Sequence, residues 1–184
     1  MASDHTTFEV RHVDFENPKR LAEFGFTGGV RVSELQRSYQ HPQRDWPNVP
    51  RAPGVYLIVR KSARSVRFSR VSCGGWFKQR DPALPVATLK ERWVARAKIV
   101  YIGKAGGPGQ RATLRSRLQT YMRFGLGEDC AHWGGRCIWQ LPDAEDLWIY
   151  WKVTARQTPR QAEKSLLKAF VQCYGRRPFA NLTG

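Results

Sequence analysis

"KIVYIGKAGGPGQRATLRSRLQTYMRFG", residues 98–125, carries two tyrosines, two lysines and four arginines, and no acidic side chain. It opens on an apolar, β-branched run, "KIVYIG", of the kind buried strands use. The chain then turns through a loop holding Gly106, Gly107, Pro108 and Gly109. Beyond it, the spacing of Leu114, Leu118 and Tyr121–Met122 predicts a helix from about Thr113 to Phe124. The loop is not a nucleotide-binding one. In "GKAGGPGQ" the lysine precedes the glycines instead of closing them, so the GxxxxGK[ST] order is missing and an ATPase is rejected.

Outward from this stretch the same logic finds two more strands and two more helices. "GVYLIV" at 54–59 is a second apolar run, and "HPQRDWPNVPRAPG" before it places prolines at 42, 47, 50 and 53, a stiff connection. Between the two runs lies a basic segment with an expected hairpin around Gly74–Gly75. It is expected to end in a helix capped by Thr88 and Glu91, with Leu89, Trp93 and Ala97 on one face. In "DLWIYWKVT" Leu147, Ile149, Trp151 and Val153 alternate with polar or aromatic neighbours, a third strand. Thr158-Pro159-Arg160-Gln161 starts the last helix with a capping box and a proline at its first position. Ala162, Leu166, Leu167, Phe170 and Cys173 mark its buried face, and Gly175 its end. In residues 1–50 the one suggestive stretch is "FGFTGGVRV", read as a hairpin turning at Gly28–Gly29. The fold class is α/β.

Charge narrows the partner. The 184 residues carry a formal net charge of +16, and residues 54–125 hold sixteen Lys or Arg against Asp81 and Glu91 alone. So concentrated a field implies a polyanion, nucleic acid or an anionic membrane. No basic amphipathic helix dominates, which disfavours a membrane surface. No apolar run approaches ~18 residues and no leader segment is evident, so the expected location is the cytoplasm with no membrane partner. Four cysteines at irregular spacing fit reduced thiols there. Cys130, His132 and Cys137, with Cys73, lack the paired knuckles of a structural zinc site. Buried thiols and a hydrogen-bonded histidine are the expected reading.

Certain polar residues sit where packing alone would not put them. Glu163 shares a helix face with Leu166 and Leu167, and a carboxylate there must be paired or bound to a cation. Arg117 and Tyr121 share one face at i and i+4. Tyr56 and Tyr101 come onto neighbouring strands if the two apolar runs pair, with Gly103 and Lys104 following. Each has a structural explanation by itself; together they converge.

These residues resemble the motif set of the GIY-YIG nuclease superfamily: "GVY" at 54–56, "YIG" at 101–103, Lys104, Arg117, Tyr121, Glu163 and "PFAN" ending in Asn181. The resemblance covers about residues 51–184. It implies a small domain with a central three-stranded, mostly antiparallel sheet flanked by helices. Here that domain carries an insertion at about 60–98 and an N-terminal extension, residues 1–50. The family's two tyrosine motifs usually lie closer together than Tyr56 and Tyr101, and the loop from Lys104 to Arg117 is longer than usual.

The resemblance also implies one divalent cation, Mg²⁺ or Mn²⁺, held by Glu163. Tyr56 acts as base or relay, and Tyr101 and Tyr121 hydrogen-bond phosphate or water. Lys104 and Arg117 are the cations expected to lower the Tyr56 pKa and to bear on the non-bridging oxygens. Asn181 orients Tyr56 or Glu163. The expected function is a metal-dependent endonuclease acting on DNA. A non-catalytic nucleic-acid-binding module and an RNA-directed nuclease are the alternatives, and a homodimer is allowed for. Arg64, Arg67, Arg70, Lys78, Arg111, Arg115 and Arg123 are candidate backbone contacts, with Trp76, Phe77 and Trp93 as stacking or wedge residues. His132 and Arg136 either approach substrate or rim the fold.

Overall fold

The computed structural model describes residues 15–41, 43, 46–130, 132–154 and 158–182. Of the residues read above, 1–14, Pro42, Arg44, Asp45, Ala131, 155–157 and 183–184 lie outside this set. One sheet runs in the order β1 (Thr27–Arg31), β4 (Trp148–Val153), β2 (Gly54–Val59), β3 (Ile99–Ala105), and every neighbouring pair is antiparallel. Helices α1 (Val32–Gln40), α2 (Val86–Arg92), α3 (Leu114–Gly125) and α4 (Pro159–Tyr174) and a 3₁₀ segment, Trp133–Gln140, surround it.

The α/β reading holds, with one strand more than expected. The fourth strand comes from the N-terminal extension. "TGGVR" has a single apolar residue and so shows no alternation; its pairing with β4 makes it a strand. Gly28 and Gly29 form a bulge in that pairing, not the turn of a hairpin. At Gly28, with φ of 94°, a Cβ would stand 2.8 Å from the Trp151 ring. The next nine residues form α1, whose Val32 and Leu35 are fully buried. Val32, Leu35 and the partly buried Tyr39 stand at i, i+3 and i+7, a helical spacing carried by only nine residues.

Both faces of the sheet are covered. On one, α1, α3 and the 3₁₀ segment contribute Leu35, Leu118, Phe124 and Trp139; on the other, α4 and residues 15–26 contribute Phe170, Leu166, Phe15 and Leu21. This is why β2 is continuously apolar and buries all six of its residues. α3 begins as expected, with Thr113 and Ser116 capping each other. α4 likewise begins at the Thr158–Gln161 capping box and ends at Gly175, φ 68°. Its buried face differs in detail: Ala169 packs inward, Leu167 is half-buried and Cys173 is exposed. Val153, at the end of β4, is also exposed.

The insertion departs further from expectation. Gly74–Gly75 is not the turn of a hairpin. The only pairing among its described residues is the short Phe77–Arg80 bridge. α2 starts after Pro85, without a Thr88 side-chain cap, and stops at Arg92. Trp93 is not offered outward but packs on Phe68 and Phe179, 5.9 and 5.2 Å between centroids. The segment is nevertheless fastened to the domain. The buried Gln140 amide accepts from Leu84 N–H at 2.7 Å and donates to Leu84 and Ser69 carbonyls at 2.9 and 3.1 Å. Arg60, nearly buried, donates from Nε to Asp143 at 2.8 Å and from Nη1 to the Arg64 carbonyl at 2.9 Å. Gln140→Leu keeps the volume but strands three backbone groups, at an expected cost of about 3 kcal/mol. Urea unfolding checks it, and a loss below about 0.5 kcal/mol contradicts the staple.

Candidate active site

The site lies on the outer edge of the sheet, at β3. Tyr56 pairs with Gly103 and Tyr101 with Ile58, so both tyrosines point to the same face, their rings 5.9 Å apart. Lys104, three residues after Tyr101, points to the other face, where α4 packs. Tyr101, Lys104, Gly106, Gln110, Arg117 and Glu163 line a cavity of about 320 Å³. β3, α3 and α4 each supply at least one of its charged or hydroxyl groups, although these residues are far apart in sequence.

Among the described residues Glu163 is the only carboxylate lining this cavity. It is half-buried in the second turn of α4, and its pKa is raised. Burial is the largest cause, and Lys104, Arg117 and Arg160 offset it in part. Among the described residues no three His, Cys, Asp or Glu side chains gather to hold a metal, the cysteines and His132 included. A magnesium-like ion does not require such a group: it keeps several waters and takes one or two carboxylates together with phosphate oxygens. The cavity is large enough for an ion with its waters at ~30 Å³ each. The residues present fit such an ion with Glu163 as its protein ligand.

The tyrosines differ from expectation. The Tyr56 pKa is raised, not lowered: its burial outweighs the pull of Arg117. Arg117 and the Tyr101 hydroxyl lie close enough to favour ionised Tyr56, yet no hydrogen bond of good geometry ends on its oxygen. Tyr101 is pushed well up, by burial first and by Tyr56 second. Tyr121 is fully buried behind the cavity, against His132 at 4.6 Å and Trp139 at 4.8 Å, its hydroxyl unpartnered and its pKa well up. It does not line the cavity.

Asn181 orients neither Tyr56 nor Glu163. Its carboxamide accepts from Ile102 N–H at 3.0 Å and donates to Ile102 C=O at 2.8 Å, while Ala180 N–H donates to the Val100 carbonyl. The "PFAN" tail thus pairs with the open edge of β3 and fixes the backbone on either side of Tyr101 and Gly103. Gly103 has a separate duty. A Cβ there would sit 2.6 Å from the Tyr56 hydroxyl and 2.7 Å from the Tyr101 ring. Gly103→Ala must push both phenols aside, with an expected loss of about 10²-fold in turnover, the usual cost of a 1 Å displacement. Single-turnover kinetics read it, and an unchanged rate contradicts the placement.

The candidate contact residues divide. Arg64, Arg67, Arg70, Lys78 and Arg111 are exposed, and Arg115 lies over Trp46 at 5.7 Å. Arg123 is engaged: its Nε donates to Glu128 at 2.8 Å, and Glu128 also accepts from Tyr39. Among the residues that sequence reasoning missed, Arg160 stands one turn before Glu163, a spacing the sequence did display. Gln110 gave no such signal, because a glycine-rich loop has no periodicity to point with. His132 does not approach the solvent. It is fully buried, both ring nitrogens lack partners, and burial followed by Arg117 depresses its pKa. Arg136 stacks over Trp133 at 4.1 Å. No protein-family model, curated protein or solved structure matches the chain.

Proposed function

We propose that this chain is a metal-dependent endonuclease of the GIY-YIG type that hydrolyses phosphodiester bonds in DNA. One observation carries the reading. Tyr101, Lys104, Arg117 and Glu163, brought together from three elements, surround one cavity built largely from residues 54–125, the region of +14 local charge.

The chemistry follows from the groups. A scissile phosphate in the cavity meets Arg117 and Lys104, whose charges bear on its non-bridging oxygens and on the negative charge that grows as the bond to water forms. Glu163, ionised, is the ligand for a divalent cation, which supplies charge stabilisation at the phosphorus centre and help for the leaving oxygen. Burial keeps Tyr56 and Tyr101 protonated at neutral pH. Their hydroxyls therefore act as orienting and relay groups: Tyr101 at the cavity wall and Tyr56 behind it accept one proton while giving up another, with no free phenolate required. Asn181 and Tyr121 work at a distance, holding β3 and the back wall.

The test is incubation of the purified chain with supercoiled plasmid, single-stranded DNA and RNA, each with Mg²⁺ or with EDTA. Mg²⁺-dependent nicking of plasmid is the expected result. Cutting of RNA alone assigns the other substrate. Salt-sensitive binding of all three with no cutting turns the reading toward a binding module.

A further inference from the structure

The insertion offers one large aromatic side chain to solvent. Trp76 is 58% exposed, directly after two buried glycines, and it is not a loose side chain on a loose loop. Gly75 N–H donates to the Phe124 carbonyl at 2.8 Å. A Cβ on Gly74 would enter the Phe124 ring, and one on Gly75 would collide with the Glu128 backbone. Only glycines let the chain lie this close to the end of α3, so the base of Trp76 is rigidly attached to that helix.

The other side of Trp76 is shaped just as firmly. Phe77 to Arg80 closes a tight turn, with Arg80 N–H on the Phe77 carbonyl at 3.2 Å. Its two central residues, Lys78 and Gln79, have φ of 53° and 56°. Glycine or asparagine takes this left-handed conformation readily; lysine and glutamine take it under strain. Strain kept at an exposed tip points to side chains wanted there. From Arg67 to Arg80 the segment has four cations and no acid. A protein partner would have to bring a strongly acidic surface to such a tip; a nucleic acid brings both the charge and flat rings for an indole to stack on.

α3 also sets the distance. Phe124 lies seven residues beyond Arg117, two turns along the same face, or about 10 Å. We propose that Trp76 is a wedge. It stacks into duplex DNA beyond the end of α3, on the same duplex as the phosphate held at Arg117, with Lys78 and Arg80 on the flanking backbone. The inference rests on the nuclease reading for its partner, but its test needs no cleavage.

In EDTA, anisotropy with a labelled 30-base-pair duplex measures affinity, and 2-aminopurine in place of its adenines reports unstacking. Wild type is expected to bind and to raise 2-aminopurine emission. Trp76→Ala is expected to bind roughly tenfold more weakly, with no rise in emission. Its salt dependence should match wild type, because an indole releases no counterions. Trp76→Phe should recover most of both signals, which separates stacking from a folding defect. Equal affinity and emission for Trp76→Ala overturns the wedge. So does a wild type that binds without unstacking, that prefers RNA, or that binds no duplex at all. A Trp76-dependent emission change in a protein that never cuts DNA with Mg²⁺ keeps the wedge and removes the nuclease.

Discussion

Glu163→Gln is expected to slow single-turnover DNA cleavage on the order of 10³-fold, while duplex affinity measured in EDTA stays within about twofold of wild type. The substitution preserves shape and removes only the charge, at a carboxylate that lines the cavity. The raised pKa adds a second consequence. Burial raises the Glu163 pKa above the ordinary carboxylate value, and Lys104, Arg117 and Arg160 offset that rise in part. Cleavage should fail on the acid side as protons compete with the cation for the carboxylate, with an inflection that moves down as the metal concentration rises. Stability has the matching sign. The stabilising contribution of protonated Glu163 is lost as pH rises through its raised pKa, so metal-free Glu163→Gln should melt no lower than wild type at neutral pH. A variant that melts higher and cuts nothing fits a group kept for function. Undiminished cutting removes Glu163 from the chemistry.

Arg117→Met is expected to cost about 10²- to 10³-fold in turnover, the usual effect of removing one positioned donor from a developing anion. Arg117 acts on more groups than any neighbour: its charge favours the ionised forms of Tyr56, Tyr101 and Glu163 and opposes a charge on His132. Its loss should therefore also move the acid limb of the pH–rate profile upward, since Glu163 then keeps its proton to higher pH. Arg117→Lys separates charge from shape. A point charge should restore the position of the limb more fully than the rate, because it lacks the planar fork that the proposed contact to two phosphate oxygens needs. A Met variant with an unshifted limb would show that Arg117 serves the phosphate alone.

Much of this site can be read in the sequence because its residues sit on elements with strong periodic signals. α4 declares itself through Thr158, Pro159 and Gln161, and Glu163 is then placed by counting along a helix. Tyr56 and Tyr101 are similarly placed by two apolar runs long enough to pair. What the sequence hides are properties of packing. Burial reverses the expected direction for Tyr56, and nothing in "GVY" reports how completely α3 and β3 enclose it. Asn181 looks like a site residue in sequence, yet it spends its amide on the backbone of Ile102. β1 has no strand pattern of its own and exists because β4 needs a neighbour. The fastening of the insertion through Gln140 joins residues 56 and 71 positions apart, a relation no local pattern encodes.

The most direct measurement is electron paramagnetic resonance of Mn²⁺ added to wild type and to Glu163→Gln, each saturated with a duplex oligonucleotide. One bound ion per chain in wild type, released in the variant while the duplex stays bound, is the expected result. Equal retention of Mn²⁺ by both proteins would contradict the assignment of Glu163 as the residue that holds the cation at the scissile phosphate.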